Sequence, residues 1–406
     1  MSSILTNTGA MTALQTLRGI NQNLTKTQDM ISTGKKVATA KDNAAIWSIS
    51  KVMESDVKGF TAISESLSLG QSTVAVARNG AEQVTELLGE IKKKIVAAQE
   101  DNVDRVKLQD DLESLRNQVT SIVDAAQFNG QNLLKQTSAT AGDGTMEVLS
   151  SLDRNASGGV GSSTVDVAKR DLAVEGDQDA GEAGTTVTLG DAKTVADGDA
   201  VTAVTDSSGE EVVAGSEYSV DIADLALDEV TYVARDGDTF TDVYRQLAAR
   251  LNAEAGEAGE DLVFSVQGGE LALQNNSGAD VEIVAADIES DGADDGTAGG
   301  GLELLGDLDI STETGAAGAL GAIDGLIEIA VGAAAEFGVS ENRLGVQSDF
   351  VSRLSDSLKA GIGALVDADM EAASARLQAL QVQQQLGTQS LSIANQAPQT
   401  ILSLFR

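Results

Sequence analysis

Two stretches at opposite ends of the chain carry apolar residues at helical spacing. In the last part, Met370, Ala373, Leu377, Leu380, Gln384, Gly387, Leu391 and Ala394 recur at alternating steps of three and four. That spacing draws one narrow stripe along a helix, the seam of a coiled coil. Near the start, Ala10, Leu17, Leu24 and Ile31 recur every seven positions, with Leu14 just before Leu17. Neither seam is strong, and Gln384 and Gly387 weaken the second. A narrow stripe cannot bury itself, so each end needs a helical partner. The plainest solution is that the two ends pair once, as a helical hairpin. A further apolar group, Ile401, Leu402, Leu404 and Phe405, follows the only proline, Pro398. A two-helix pair cannot cover that group all round, which points to burial against further copies of the chain.

Between the two ends the texture changes twice. Residues 1–137 contain few glycines and no proline and read as helices with short breaks. The first helix is interrupted by "STGKKVATAKDN", a long one runs from about Ala44 to Gln99, and another from about Asp104 to Gln127. "FNGQNLL" then marks a turn at Asn129 and Gly130. Residues 138–315 hold short alternating runs, among them "EYSVDI", "EVTYVA", "LVFSV" and "ELALQ", which read as strands. One helix is expected in "GDTFTDVYRQLAARLNA", and "SDGADDGTAGGG" near 290–301 reads as a mobile linker. Residues 316–406 return to helix. The expected fold class is α+β and multidomain: a long α-helical coiled-coil core and rod formed by both termini, with a β-rich central outer insert.

Charge follows the same division. Residues 141–315 carry 39 acidic against 7 basic residues, a net of −32, whereas the two flanks together carry 24 and 20, a net of −4. The middle is therefore a solvated, self-repelling surface unsuited to nucleic acid or anionic membrane. Association belongs to the nearly neutral ends. Aromatics make up only 3% of the chain, so the core is expected from Leu, Ile, Val and Ala. No stretch is expected to reach the roughly 18 apolar residues of a membrane span. The opening lacks a basic segment followed by an apolar run, so no cleaved secretory signal is expected.

The chain has no cysteine and no histidine. Disulfides, thiol catalysis, HExxH zinc sites and Ser-His-Asp triads are thereby excluded. "STGKK" at 32–36 lacks the first glycine of a phosphate loop, since position 29 is Asp. "DGDTFTD" (236–242) and "SDGADDG" (290–296) resemble calcium loops in composition but lack the closing Glu and the spacing. Asn155 and Asn275 open glycosylation sequons at chance frequency, and Trp47 lies in a helical apolar pattern as a packing residue. No catalytic residue, cofactor site or metal site is expected.

Two longer stretches carry a resemblance. "ISTGKKVATAKDNAAIWSISKVMESDVKGF" resembles the N-terminal signature of bacterial flagellins, and "VDADMEAASARLQALQVQQQLGTQSLSIANQAPQTILSLFR" resembles their C-terminal signature. The two occur in the family's order at opposite ends. "AIWS" at 45–48 is similar to the α-proteobacterial branch, and 237–285 resembles a small module of flagellin outer domains. The resemblance implies a structural subunit that polymerises into the extracellular filament used for swimming, not an enzyme. It implies three tiers: 1–40 with 366–406 as coiled-coil filament core, 41–137 with 316–365 as helical rod, and 138–315 as acidic outer surface. Ala10, Leu14, Leu17, Leu24, Ile31, Met370, Leu377, Leu380, Leu391, Ile401, Leu402, Leu404 and Phe405 then form the core interface. Implied partners are other copies of the chain, co-assembling flagellins, the export machinery with its chaperone, and the hook-associated and cap proteins, with no nucleic acid and no membrane insertion. The flagellin-like hook–filament junction protein shares the end signatures, and a secreted acidic adhesin or surface-layer protein is the rival of another class. One departure stands out. Flagellins that activate the flagellin-sensing Toll-like receptor carry a helix reading LQRVRELAVQ, and the aligned stretch here is "LGEIKKKIVA". Gly89, Glu90 and Lys94 replace its Gln, its first Arg and its second Leu.

Overall fold

The structure is a computed structural model and describes residues 7–135, 143–154, 159–175, 185–188, 193–204, 212–220, 227, 230–267, 269–278, 280–283, 287–290 and 298–404. In chain order the helices are α1 (Thr8–Thr33), α2 (Ala44–Ala98), α3 (Arg105–Ala125), α4 (Phe240–Ala258), α5 (Leu304–Asp307), α6 (Glu313–Val366) and α7 (Met370–Leu404). The strands are β1 (Gln127–Phe128), β2 (Gln131–Asn132), β3 (Thr145–Arg154), β4 (Val160–Ala168), β5 (Thr185–Thr188), β6 (Lys193–Val195) and β7 (Ala200–Val204). They continue with β8 (Glu217–Val220), β9 (Val230–Val233), β10 (Leu262–Gln267), β11 (Glu270–Asn275), β12 (Val281–Ile283) and β13 (Asp287–Ser290). The fold is thus α+β, with long helices at both ends and short strands between them. Contacts divide the chain into two compact units, 1–63 with 350–406, and 64–349.

Capping chemistry sets the helix ends of the first unit. Asn7 opens α1, its Oδ1 accepting from the Ala10 N–H at 3.0 Å. The helix stops at Gly34, whose φ of 69° is the left-handed conformation that a side chain disfavours. Asn43 opens α2 by accepting from the Ala45 and Ile46 N–H groups, and Asp369 opens α7 by accepting from Glu371 and Ala372. The breaks between helices are tied together. Lys36 N–H donates to the Val366 carbonyl at 2.6 Å, and Ala368 N–H donates to the Gly34 carbonyl at 2.9 Å.

The second unit has a continuous core. On α2, Leu67, Val74, Ala77, Ala81, Val84, Leu88, Ile91, Ile95 and Ala98 are all buried and repeat at steps of three, four and seven. Asp104 caps α3 through the Lys107 N–H, and α3 adds Leu112, Val119 and Val123. The β1–β2 hairpin turns on Asn129 (φ 51°) and Gly130 (φ 81°), a pairing of positive φ values that suits a two-residue turn. β3 and β4 pair antiparallel over nearly their full length. Further on, β8 and β9 pair as a hairpin, and β11 lies between β10 and β7. α4 covers these strands and buries Tyr244, Leu247 and Leu251 with Tyr232, Phe264 and Leu273. A reciprocal Thr239–Asp242 capping box starts α4.

α6 is unusually rich in Gly and Ala because α4 lies very close to it. A Cβ at Gly321 would stand 2.2 Å from the Asn252 carbonyl, and one at Gly325 would stand 2.6 Å from the Ala249 Cβ. Only glycine permits that approach. This composition makes α6 long and apolar enough to cross a membrane by length and composition, contrary to the expectation that no stretch would. A single such helix is also what a protein core produces, and α6 buries Ala316, Ala319, Ile323, Leu326, Ala330, Ala333 and Phe337.

An ionic network joins the insert to the helices within this unit. Arg170 donates to Asp242 at 2.9 Å and to Glu336, while Arg245 links Asp242 at 3.1 Å to Glu328 at 3.5 Å. Arg235, buried, donates to the Gly299 carbonyl and the Tyr232 hydroxyl and lies 3.5 Å from Asp171. Burial opposes its charge, yet Tyr232, Asp171 and Asp238 together hold its pKa up. Burial also raises the Asp238 carboxyl. Asp238 and Asp242 therefore serve the fold, in a segment that only resembles a calcium loop. The described end of the expected linker, 298–301, is a correction as well. It is buried, with the Gly301 N–H bonded to Asp171 and Gln246 donating to the Gly301 carbonyl. Glycine there lets two backbones touch. Asn275 is fully buried and donates to the Val195 carbonyl, leaving no room for a glycan, and Asn155 lies outside the described residues.

Candidate functional site

The surface that the sequence singles out lies on α1 and α7, which pack antiparallel. Asn7 Nδ2 donates to the Ala394 carbonyl at 2.9 Å, and Gln384 Nε2 donates to Asn21 Oδ1 at 2.7 Å. Between them, a Cβ on Gly387 would meet Leu17 Cδ1 at 3.0 Å and Ile20 Cδ1 at 3.7 Å. The two positions that weaken the seam in sequence thus make two of its contacts: one as a polar pair, the other as a hollow for Leu17.

Burial along the pair is incomplete. Of the seam residues, Ala373 and Leu380 are buried, and Ala10, Leu17, Leu24, Ile31, Leu377 and Leu391 are half-buried. Leu14 and Met370 remain exposed. The α7 backbone continues as helix through Pro398 to Leu404. The side chains of Ile401, Leu402 and Leu404, and all of Phe405, lie outside the described residues.

α7 carries a second stripe that the sequence reading missed. Ala372, Ala375, Ala379, Val382, Leu386 and Ile393 also follow steps of three and four, with Gln389 completing the pattern, and all are exposed. Val382 is 56% exposed, Leu386 57% and Ile393 65%. Ala375 follows Ala373 of the first seam by two positions, about 200° around a helix, so the stripes lie on nearly opposite faces. One faces α1 and the other faces outward. The signal was present as a second heptad set, diluted by alanine.

Electrostatics here are mild. The Thr39 N–H, then its hydroxyl, hold the Asp42 carboxyl below the usual range, and Lys51 does the same for Glu54. These groups brace the loop after α1 and the start of α2. Among the described residues no group of three or more Asp and Glu is disposed to hold a metal ion. In the second unit, Leu88, Ile91 and Ile95 face the core while Glu90 is exposed. Lys94 pairs with Asp111, and open space surrounds the missing Gly89 Cβ.

An apolar helix face left exposed at the paired ends is the kind of surface through which helical subunits associate. Comparison with known proteins makes that specific. The bacterial flagellin N-terminal helical region matches residues 4–139, and the bacterial flagellin C-terminal helical region matches 320–405. The chain is 37% identical to Flagellin B of Rhizobium meliloti over 419 residues, covering 100% of each, and 29% identical to Flagellin FljM of Caulobacter vibrioides, covering 100% and 99%. The chain belongs to the bacterial flagellins, of the α-proteobacterial type, and is a structural subunit of the flagellar filament. Among solved structures, FliC from Burkholderia pseudomallei is 20% identical with a TM-score of 0.31, covering 68% of this chain and 99% of that one. The flagellar hook associated protein-3 from Legionella pneumophila is 12% identical with a TM-score of 0.37, covering 78% and 98%.

Proposed function

We propose that the α1–α7 pair forms the filament core and that the outward stripe of α7 is the face by which each subunit docks on other copies. The exposed set Val382, Leu386 and Ile393 carries this reading. Apolar area removed from water contributes about 25 cal/mol per Å², and a polymer repeats the gain at every subunit. On this reading 1–40 with 366–406 is the core, 41–137 with 316–365 the rod, and 138–315 the outer surface. Ala10, Leu17, Leu24, Ile31, Leu377, Leu380 and Leu391 hold the pair together, Leu14 and Met370, exposed in the single chain, join the core interface against other copies, and Ile401, Leu402, Leu404 and Phe405 extend it beyond Pro398.

The subunit acts outside the cell and without catalysis. It reaches the growing tip unfolded through the export machinery, with a chaperone and without a cleaved signal. It meets hook-associated and cap proteins there, and co-assembles with other flagellins. A chain free of cysteine and with one proline suits that route, since it cannot cross-link and has little slow isomerisation. The test is a full-length Val382→Glu, Leu386→Glu variant in seeded growth. Abolished sedimentable filaments with unchanged emission from Trp47, which lies in the same unit as α7, are expected. Growth equal to the unaltered chain would refute the docking face.

A further inference from the structure

Proline has no N–H, so within a helix it leaves the carbonyl four residues earlier without its usual donor. Pro398 lies inside α7, and the carbonyl in question is that of Ala394. That carbonyl accepts a hydrogen bond from Asn7 Nδ2 at 2.9 Å. The same amide uses its other atom at home, Oδ1 accepting from the Ala10 N–H at 3.0 Å. The two bonds fix the amide's orientation, because one partner can only donate and the other can only accept. Asn7 thus caps the start of one helix and repairs the vacancy in the other.

We propose that Asn7 is the register-determining residue of the α1–α7 pair, its amide reading the one carbonyl in α7 that Pro398 leaves without an in-helix donor. The proposal rests on the assembly reading above, in which the pair must present its outer stripe at a fixed height. An apolar seam does not fix that height by itself. Leucines repeating every seven residues find similar neighbours after a slip of seven, and polar seam residues are what penalise such slips. The chain has a single proline, so ahead of its last turn only one carbonyl in α7 offers this address. The Asn21–Gln384 bond, fourteen residues further along α1, sets the same alignment a second time. The two asparagines stand two heptads apart on the seam-bearing side of α1.

The experiment is a double-mutant cycle on the full-length chain: unaltered, Asn7→Ser, Pro398→Ala and both. Serine caps a helix about as well as asparagine but is too short to reach Ala394. The Pro398→Ala substitution returns the missing N–H. The first readout is the critical concentration for seeded filament growth, by sedimentation. The second is amide hydrogen exchange of the α1 peptide by mass spectrometry, which needs no filaments. With Pro398 present, Asn7→Ser should raise the critical concentration roughly fivefold to tenfold, the equivalent of one hydrogen bond, and speed α1 exchange to match. In the Pro398→Ala background the same substitution should change either readout less than twofold. An equal effect in both backgrounds would reduce Asn7 to a helix cap and overturn the proposal, as would no effect with Pro398 present. If the unaltered chain grows no filaments, the assembly reading fails, and the exchange cycle alone decides the role of Asn7.

Discussion

The two units of this flagellin spend their apolar residues differently. In 64–349, Tyr232, Tyr244 and Phe337 are among the largest fully buried side chains, and α2 hides nine apolar positions in succession along one stripe. Among the described residues of the α1–α7 pair only Thr27, Ala373 and Leu380 are buried, while Met11, Leu386 and Ile393 are each more than half exposed. The sequences of both regions show helical periodicity, so periodicity does not separate them. What separates them is the number of faces that carry it. α2 has one apolar stripe with partners in its own unit. α7 has two stripes and one partner. On the assembly proposed above, a unit of the first kind buries its apolar stripe within one chain, and a pair of the second kind covers its outer stripe only against other copies.

The chain contains its own probes for this contrast. All three tyrosines, Tyr218, Tyr232 and Tyr244, lie in 64–349, and the only tryptophan, Trp47, lies in the other unit. Tyrosine near-UV dichroism and tryptophan emission therefore report the two units separately during urea unfolding. The largest effect is expected from Phe337→Ala, which empties a site that is 1% exposed in the helical core. Such truncations cost about 3–5 kcal/mol, read as a lower urea midpoint of the tyrosine signal. Leu386→Ala removes a side chain of similar kind from a surface that is 57% exposed. It should leave both midpoints within about 0.5 kcal/mol and act only on filament growth. If Leu386→Ala shifted the tryptophan midpoint as far as Phe337→Ala shifts the tyrosine one, the outer stripe of α7 would be a monomer core and the comparison would collapse.

Much of this was legible in the residues, for local reasons. Asp104, Gly34, Asn129 with Gly130, and the Thr239–Asp242 box act within a few positions of themselves, so their helix ends and turns can be read directly. The pairing of 298–301 with 171–173 could not. Its glycines and aspartates look like a linker, because close packing of two backbones leaves no apolar signal. The outer stripe of α7 was missed for the opposite reason. It has a signal, but three of its members are alanines, and a seam is easier to see where leucine marks it. Strand order, with β11 between β10 and β7, depends on contacts about seventy residues apart and has no local trace.

An intermediate effect is expected from the ionic links within 64–349. Arg170→Met keeps the length and apolar stem of the side chain and removes its bonds to Asp242 and Glu336. Arg170 and Asp242 are both largely buried, so the pair is screened less than a surface bridge. Asp242 retains Arg245 and its capping role, which limits the loss. About 2 kcal/mol of the tyrosine-reported stability should go, with no change in tryptophan emission. A loss below about 0.5 kcal/mol would show that the other ties of the insert, among them Arg343 to the Asp166 carbonyl and Gln347 to the Ser150 carbonyl, hold it without Arg170.

A small effect on the fold is also expected where the sequence departs from the receptor-activating helix, on the outer face of α2. The combined Gly89→Gln, Glu90→Arg, Lys94→Leu variant should change stability by less than about 1 kcal/mol. Replacing glycine inside a helix contributes about 1 kcal/mol, and a side chain at 89 meets only open space. Removing the exposed Lys94–Asp111 pair costs between about 0 and 1 kcal/mol, so the two changes oppose one another. The effect on recognition is expected to be far larger than on folding. Glu90 puts a carboxylate where the activating helix has a guanidinium, and an interface arginine can carry about 2 kcal/mol or more. The unaltered monomer should therefore be at least about tenfold weaker than the variant in a receptor-reporter dose curve, which corresponds to about 1.4 kcal/mol. Equal potency of the two proteins would mean that these three residues are merely solvated, and that α2 serves only the core it faces.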